Sequence, residues 1–213
     1  MSDLVLHGYW RSTASYRVRI ALALKGVAYR HAVHDLRTGD QGKADYLSLN
    51  PQGLVPTLAT VNGVIPQSLA ILEWIEEAYP EPQLLPTDGF DRAIVRAMAN
   101  LVCCDIHPLN NVRVLEVLKQ GFHANEQAVR DWIARWITAG FAALEHHVAQ
   151  AGGDFAFGDR PSMADCCLIP QVYSATRFGV DLAPFSAIRR VAATCESMPQ
   201  FQAAHPGVQP AAD

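Results

Sequence analysis

The sequence predicts an α/β domain followed by an all-α domain, and three observations support this fold class. Strand-like and helix-like segments alternate through the first 80 residues, a proline-punctuated stretch follows, and only helical patterns appear after it. Alternating strands and helices pack as a sheet with a crossover helix. We therefore expect an α/β domain at 1–80, a linker at 81–88 and a helical domain at 89–213.

The first domain is expected to have the order β-α-β, a variable region, and then β-β-α. Short apolar runs predict its strands, and helical spacing of apolar residues predicts its helices. Asn62-Gly63 is the expected hairpin turn, and Ser68 is the expected N-cap of the last helix. The expected strands are 4–9, 27–34, 55–61 and 63–65, and the expected helices are 15–25 and 68–79.

The second domain is expected to contain four helical stretches and no strand. Apolar residues recur with a three-one rhythm over 129–148, which is typical of an amphipathic helix. Pro108 should interrupt the first stretch, and Ser162 with Asp165 resembles a capping box. The tail after Pro199 is expected to be irregular. The expected stretches are 90–120, 129–148, 162–177 and 184–198.

Composition narrows the class of function. Hydrophobic residues make up 50% and charged residues 18% of the 213-residue chain, as in an ordinary globular protein. A net charge of −4 argues against a nucleic-acid surface, and no apolar run is long enough to predict a membrane span. Five cysteines, two pairs of them adjacent, are a poor disulfide framework. We expect reduced, mostly buried thiols, a cytoplasmic protein and no membrane or nucleic-acid partner.

The junction between the first strand and the first helix is the first candidate site. A helix N-terminus there can stabilise an anion, above all a thiolate. Ser12-Thr13-Ala14-Ser15 stands where a redox protein would place Cys-x-x-Cys, so a bound ligand would have to bring the sulfur. The hydroxyl of Ser12 or Thr13 could donate to it and lower its pKa. Alternatively, Ser12 and Ser15 are helix caps and nothing more.

Two further segments are candidates for holding the rest of such a ligand. Val55-Pro56 precedes a strand, and a cis bond there would expose the Val55 backbone to an extended peptide. The alternative is an ordinary trans proline at the start of an edge strand. Gln67-Ser68 opens a helix, where a carboxylate could bind, although helix capping explains Ser68 equally well.

Together these motifs resemble the zeta class of cytosolic glutathione transferases, and the resemblance covers the whole chain. Residues 11–22, RSTASYRVRIAL, are similar to the class signature Ser-Ser-Cys-Ser-x-Arg-Val-Arg-Ile-Ala-Leu. Residues 50–56 (NPQGLVP), 67–71 (QSLAI) and 105–111 (DIHPLNN) also look like the class. Ala14 replaces the signature cysteine, which excludes a cysteine-dependent side reaction there. Isomerase chemistry survives this change if glutathione supplies the sulfur.

The resemblance implies a thioredoxin-like first domain that binds glutathione. Ser12 would face its sulfur, Val55 would pair with its cysteinyl backbone, and Gln41 would touch its glycyl end. Gln67 and Ser68 would hold the γ-glutamyl end. The full implied set of glutathione contacts is Ser12, Thr13, Ala14, Gln41, Val55, Gln67, Ser68, His107 and Asn111, the last two on the fourth helix.

The resemblance also implies a reaction, the cis–trans isomerisation of maleylacetoacetate to fumarylacetoacetate in tyrosine and phenylalanine breakdown. The thiolate would add to the double bond, the resulting single bond would rotate, and the thiolate would leave. Arginine suits a dicarboxylate substrate because its planar fork pairs with carboxylates. Arg11 lies beside Ser12 and is the expected second catalytic residue, with Arg113 and Arg177 as further substrate ligands. Arg17 and Arg19 are expected to be structural.

Several alternatives stay open from the sequence. Maleylpyruvate isomerase uses the same sulfur chemistry on a shorter substrate, and a detoxifying transferase or a non-catalytic thioredoxin-like interaction module would keep the fold. A homodimer is expected, because an acidic and apolar edge would otherwise be exposed. We expect no functional metal, since neither Cys104 with His107 nor the adjacent His146 and His147 has the usual spacing of zinc ligands.

Overall fold

A computed structural model describes residues 4–210 of the chain. Its contacts divide these residues into two compact units, one of 4–84 with 196–210 and the other of 85–195. The first unit contains the sheet, and residues 196–210 near the C-terminus belong to this unit. Its elements are β1 (Val5–Gly8), α1 (Thr13–Leu24), β2 (Arg30–Val33), α2 (Ala44–Leu49), β3 (Thr57–Thr60), β4 (Gly63–Pro66), α3 (Ser68–Ala78) and α9 (Pro199–Ala204).

The four strands form one mixed sheet in the order β2-β1-β3-β4. β1 and β2 are parallel and are joined by α1, whereas β3 is antiparallel to both β1 and β4. The predicted β-α-β and β-β-α order is confirmed. The two-residue hairpin loop is Val61-Asn62, because Thr60 pairs with Gly63. The prediction of an Asn62-Gly63 turn was therefore wrong by one residue.

The core of the first unit lies between the sheet and the two helices α1 and α3. β1 alternates between half-buried and buried residues, and α1 is buried over nearly its whole length. Such burial explains why α1 has apolar residues on several faces rather than on one stripe. The fully buried aliphatic side chains are Leu6, Val18, Ile20, Leu22, Leu58, Ile71, Leu72 and Ile75.

Residues 199–208 form regular structure, so the expectation of an irregular tail was wrong for this part, and residues 211–213 lie outside the described residues. This part forms α9, which packs on α1, and a 3-10 turn at Pro206–Val208. The guanidinium of Arg19, fully buried, donates through Nε to the carbonyl of Ala204 at 2.9 Å. It also donates to the carbonyl of Trp10 at 3.0 Å, so Arg19 is structural, as predicted.

The second unit is helical, as predicted, and its helix bounds agree with the sequence pattern within a few residues. Ser162 and Asp165 form the expected capping box at the start of the helix Met163–Arg177. The first stretch is broken earlier than expected, at a π-helical segment, Leu101–Ile106, which a 3-10 turn, His107–Asn110, follows. The helices are α4 (Gly89–Asn100), α5 (Val112–Gly121), α6 (Glu126–Ala151), α7 (Met163–Arg177) and α8 (Ser186–Glu196).

A glycine allows the π-helical segment to lie against α6. A Cβ at Gly140 would overlap the Cγ1 and Cδ1 atoms of Ile106, and Ile106 is fully buried. Side chains farther along α6 form the core of this unit, among them Ile137 and Phe141. In the described part of the chain, no helix has both the length and the apolar character to cross a bilayer.

Candidate active site

Three candidate segments meet at one edge of the sheet, as the strand register requires. His7, near the end of β1, pairs with Thr57 at the start of β3, and Thr57 pairs with Pro66 at the end of β4. The loop after β1, the loop before β3 and the turn after β4 therefore leave the sheet on the same side. The structure brings Ser12, Val55 and Gln67 to this edge.

Ser12 is the N-cap of α1. Its Oγ accepts a hydrogen bond from the backbone N–H of Ser15 at 3.2 Å. The capping interpretation is therefore correct for Ser12 but not for Ser15, which lies within the helix and whose Oγ accepts from the N–H of Tyr9. Capping does not occupy the proton of the Ser12 hydroxyl. A hydroxyl oxygen that accepts one hydrogen bond still has its own proton to donate. Ser12 can donate that proton to an anion at the positive end of α1.

The neighbours of Ser12 differ in exposure. Thr13 and Ala14 form the first helical turn and are buried, whereas Arg11 is half-buried. The guanidinium carbon of Arg11 lies 5.1 Å from the ring centroid of Trp10, which is within cation–π range. The positive charge of Arg11 is thus held one residue before Ser12.

The Val55-Pro56 peptide bond is cis, so the alternative of an ordinary trans proline is wrong. Two side chains hold the carbonyl of the preceding residue, Leu54. The hydroxyl of Tyr46 donates to it at 2.6 Å, and Nδ2 of Asn50 donates to it at 2.7 Å. These contacts fix the loop immediately before Val55 and so determine where the Val55 backbone lies.

Gln67, not Ser68, is the N-cap of α3, so the predicted cap was wrong by one residue. Gln67 has φ of 68°, a region that residues other than glycine seldom occupy. Its Nε2 donates to Oε1 of Gln52 at 2.7 Å. Ser68 is the first residue of the helix and is buried. Its hydroxyl is consequently available for something other than capping.

That hydroxyl contacts Arg17, a residue expected to be only structural. Nη1 of Arg17 donates to Oγ of Ser68 at 3.0 Å. Arg17 is 2% exposed, and its Nε and Nη2 have no hydrogen-bond partner among the described groups. A buried cation with unpaired donors at a helix N-terminus forms a strong site for an anion. The sequence predicted only a structural role for Arg17, although two arginines, Arg17 and Arg19, in a short helix that joins two strands were an available signal.

Gln41 lies in the 3-10 turn Asp40–Gly42, beside the same group of loops. Its backbone oxygen would lie 3.2 Å from a Cβ at Gly53, so the two loops are in close contact. Its side-chain Oε1 is buried without a hydrogen-bond partner among the described groups. Gln41 therefore has an acceptor available for a donor such as an amide N–H.

The second unit contains the remaining predicted residues. His107 opens the 3-10 turn, and Asn111 caps α5 by accepting the N–H of Arg113 at 3.2 Å. The expectation that His107 and Asn111 share one helix was wrong, because the helix is interrupted between them. Arg113 is exposed, and so is Arg177 at the end of α7. The guanidinium carbon of Arg177 lies 4.4 Å from the ring centroid of Phe178.

Two family models match most of the chain. The model of the glutathione S-transferase N-terminal domain matches residues 11–78, and that of the C-terminal domain matches residues 127–209. Maleylacetoacetate isomerase of Pseudomonas aeruginosa is 50% identical over 96% of this chain and 97% of its own length. Maleylpyruvate isomerase of a Ralstonia species is 49% identical over 96% of this chain and 98% of its own length.

Solved structures agree with these matches. The holo structure of a maleylpyruvate isomerase, described as a bacterial glutathione S-transferase of the zeta class, aligns with a TM-score of 0.95. It shares 49% identity and covers 97% of this chain and 98% of its own. A maleylacetoacetate isomerase from Anaeromyxobacter dehalogenans with bound GSH aligns with a TM-score of 0.90 at 44% identity. The alignment covers 99% of this chain and 98% of that one. This chain therefore belongs to the glutathione S-transferase family and, as its motifs predict, to the zeta class.

Proposed function

We propose that this chain catalyses the glutathione-dependent cis–trans isomerisation of maleylacetoacetate to fumarylacetoacetate in tyrosine and phenylalanine breakdown. One observation carries the proposal. Two helix N-termini meet at one edge of the sheet, with the Ser12 hydroxyl at the first and the buried guanidinium of Arg17 at the second. A thiolate site and a carboxylate site at one edge of the sheet suit the two ends of a γ-glutamyl-cysteinyl ligand. Relatives of the same length have this activity in their names.

The groups left without partners at this edge fit glutathione. The γ-glutamyl carboxylate would bind at the N-terminus of α3, where Ser68 and Arg17 offer donors and Gln67 lies beside them. The backbone of Val55 would pair with the cysteinyl residue. Oε1 of Gln41 would accept an N–H from the glycyl end. These contacts would leave the cysteinyl sulfur facing Ser12, with Thr13 and Ala14 beside it.

Bound glutathione supplies the nucleophilic sulfur that adds reversibly to the double bond of the substrate. The contribution of the protein is to keep this sulfur ionised. The Ser12 hydroxyl donates a hydrogen bond to the charged form, and the N–H groups of the first turn of α1 add their positive potential. Both effects lower the pKa of the bound thiol and so raise the fraction of thiolate at neutral pH.

The substrate is dianionic, and its negative charge increases as an enolate forms during thiolate addition. We propose that Arg11, Arg113 and Arg177 hold the carboxylates and stabilise this charge, because guanidinium groups pair with carboxylates in two parallel hydrogen bonds. Arg113 and Arg177 are exposed, so a ligand can reach both from solvent. From the family motif we also propose that His107 and Asn111 contact glutathione.

Maleylpyruvate isomerisation is the second candidate function. The specific observation in its favour is the 49% identical zeta-class maleylpyruvate isomerase, whose structure aligns with a TM-score of 0.95. The same residues would serve both substrates, since only the length of the acid differs. A general detoxifying transferase or a non-catalytic interaction module would not need arginines for two carboxylates.

We also propose that the chain works as a homodimer in the cytoplasm. Each unit exposes large apolar side chains, Val64 in the first and Phe90 in the second, and a partner copy could cover them. All five cysteines are thiols, which suits a reducing compartment. Light scattering tests the dimer, and a monomeric mass would contradict it.

A side-by-side assay tests the proposed function. Purified protein is given maleylacetoacetate or maleylpyruvate, each with and without glutathione, and each is also given without protein. We expect fast isomerisation of maleylacetoacetate that requires glutathione. A faster reaction of maleylpyruvate would assign the second function. Turnover without glutathione would contradict both, and failure to bind a glutathione column would favour the non-catalytic module.

A further inference from the structure

Two thiols from distant parts of the sequence lie in contact in the second unit, outside the proposed active site. Sγ of Cys103, in the π-helical segment Leu101–Ile106, is 3.7 Å from Sγ of Cys167 in α7. The two residues are 64 positions apart in sequence. Neither takes part in the proposed isomerisation. The contact therefore needs its own explanation.

The two thiols differ in their access to solvent. Cys103 is partly exposed, whereas Cys167 is fully buried. A small reagent can therefore reach Cys103 but not Cys167. Once Cys103 has reacted, its sulfur has a second thiol as an immediate neighbour. That arrangement matches a reactive cysteine and the resolving cysteine that completes a disulfide.

The remaining gap between the sulfurs is small. A disulfide has an S–S bond of about 2.05 Å, so the sulfurs must approach by about 1.7 Å. The backbone of Cys103 departs from a regular α-helix, and one hydrogen bond is missing beside Cys167. Cys103 lies in a π-helical segment, and Pro170, inside α7, removes the N–H that would bond to the carbonyl of Cys166. A small shift of Cys103 therefore breaks no regular α-helical ladder of hydrogen bonds.

We propose that Cys103 and Cys167 are a redox-active thiol pair that low-molecular-weight disulfides, of which glutathione disulfide is the natural example, convert to an intramolecular disulfide. The thiolate of Cys103 first attacks one sulfur of glutathione disulfide. This step forms a mixed disulfide and releases one glutathione.

Cys167 then loses its proton and attacks the sulfur of Cys103, and the second glutathione leaves and takes up a proton. Two protein thiols are oxidised and one glutathione disulfide is reduced to two glutathione molecules, so atoms and electrons balance. Burial in apolar surroundings disfavours the thiolate of Cys167, so the second step is expected to be slow but intramolecular.

The neighbouring thiols are less suited to the same reaction. Cys104 is more exposed, but its Sγ lies 3.9 Å from Oδ1 of Asn100. Successive residues of a helix point about 100° apart. The side chain of Cys104 therefore points away from that of Cys103, and the side chain of Cys166 points away from that of Cys167. Cys195 is buried, with its Sγ 3.9 Å from Oδ1 of Asp165. Cys104 therefore serves as the matched control for a more exposed thiol outside the Cys103–Cys167 contact.

The bond would change the protein in a measurable way. It would tie the segment that leads into His107 to α7 and would close a long loop of chain. Closing a loop of this length restricts the unfolded state, and we expect the melting temperature to rise by about 5 °C. This consequence is independent of isomerase activity.

The experiment uses the full chain with glutathione disulfide at about pH 8, where thiolates form readily. Intact mass, peptide mapping and thiol titration of the unfolded protein are followed over hours, together with the melting temperature. We expect a product lighter by two hydrogens, a Cys103–Cys167 cross-linked peptide and the loss of two titratable thiols. Addition of a dithiol reductant should reverse all three.

Variants separate the outcomes. Cys103→Ser and Cys167→Ser should each abolish the cross-link, and the alanine variants at both positions guard against a folding defect of serine. Cys104→Ser should form the cross-link at the rate of the unmodified chain. A protein that stays heavier by one glutathionyl group, a cross-link through Cys104, or no loss of thiols would overturn the proposal. None of these results would affect the assignment of the isomerase.

Discussion

Nη1 of Arg17 donates a hydrogen bond to Oγ of Ser68 over 3.0 Å, and both side chains are buried. The bond fixes the role of the hydroxyl. Because Oγ already accepts from a cation, its proton must be donated elsewhere, and an anion at the start of α3 is the natural acceptor. Nε and Nη2 of Arg17 add further donors at the same place. Arg17 thus links helix α1 to the proposed carboxylate site on α3.

Replacement of Arg17 by Met should weaken glutathione binding more than it slows the chemical step. A hydrogen bond to a charged group contributes about 1.5–3 kcal/mol, so we expect KM for glutathione to rise about 10- to 100-fold. Steady-state kinetics over both substrates, with direct binding of glutathione, provide the measurement. Arg17→Lys keeps the positive charge but loses the planar guanidinium, so its KM for glutathione should lie between those of the unmodified protein and Arg17→Met.

A matched control distinguishes this effect from general loss of charge. Arg189→Met removes an exposed arginine from α8 and should leave KM unchanged. A glutathione analogue that lacks the γ-glutamyl carboxylate should bind the Arg17→Met and unmodified proteins equally. If Arg17→Met changed the binding of both ligands by the same factor, the residue would only be stabilising the fold.

Replacement of Ser12 tests the thiolate site. Ser12→Ala removes both the helix cap and the proposed donor, whereas Ser12→Gly removes the donor but costs the cap only a few tenths of a kcal/mol. We expect both variants to raise the thiol pKa of bound glutathione by about one unit and to slow isomerisation about tenfold. Ultraviolet titration of the bound thiolate measures the first effect. An unchanged titration in Ser12→Gly would remove Ser12 from this role.

The long elements were predictable from sequence because each has a regular apolar pattern. α6 buries Ile133, Ile137 and Phe141 at helical spacing, and its predicted extent lies within the observed helix. Short elements lack this signal. α2 has six residues, of which only Tyr46 is buried, and α9 is equally short. Tertiary contacts rather than local propensity make such helices form.

The candidate site was predictable only in part, namely where its residues lie in recognisable sequence motifs. Ser12, Val55 and Gln67 lie at motifs that sequence displays, and β-strand order brings them to one edge. Arg17 contacts Ser68 over 51 positions in the chain, which no local pattern encodes. The left-handed backbone of Gln67, with φ of 68°, likewise depends on the turn in which it lies.

Arg177→Ala should affect the acid substrate rather than glutathione. Its guanidinium is exposed over the ring of Phe178 at the end of α7, so its loss should disturb little of the core. We expect KM for the dicarboxylate to rise about tenfold, as for one charge-assisted hydrogen bond. KM for glutathione should change less than twofold. The opposite pattern in steady-state kinetics would remove Arg177 from substrate binding.

His31 should contribute a loss of stability in mild acid. Burial and then the nearby charge of Arg19 lower the pKa of His31 from 6.5 to about 4. Between these values the unfolded chain binds a proton that the folded chain does not, so the free energy of unfolding decreases as pH falls from 6.5 towards 4. Because His31 is only half-buried, solvent screens part of this effect, and we expect the residue to account for about 2 kcal/mol of the decrease.

Urea unfolding at several pH values measures this slope. His31→Phe should flatten it, and His146→Gln, at an exposed position on α6, should not. Some slope should persist in His31→Phe, because burial also lowers the pKa of His7 and of His34. A slope that is the same in all three proteins would show that His31 does not couple protons to folding.

Gly140→Ala should destabilise the second unit, although alanine normally favours a helix interior over glycine by about 1 kcal/mol. The new Cβ would overlap the side chain of Ile106, which is fully buried and would have to shift. Overpacking of this kind costs about 1–3 kcal/mol, so we expect the free energy of unfolding, measured in urea, to fall by about 1 kcal/mol.

Gly89→Ala is the control. A methyl group at Gly89, at the start of α4, would have no neighbour within 4 Å among the described residues, and the φ angle of Gly89 is not left-handed. It should be neutral or slightly stabilising. If Gly140→Ala raised stability as Gly89→Ala does, the close approach of the π-helical segment to α6 would not be what requires glycine.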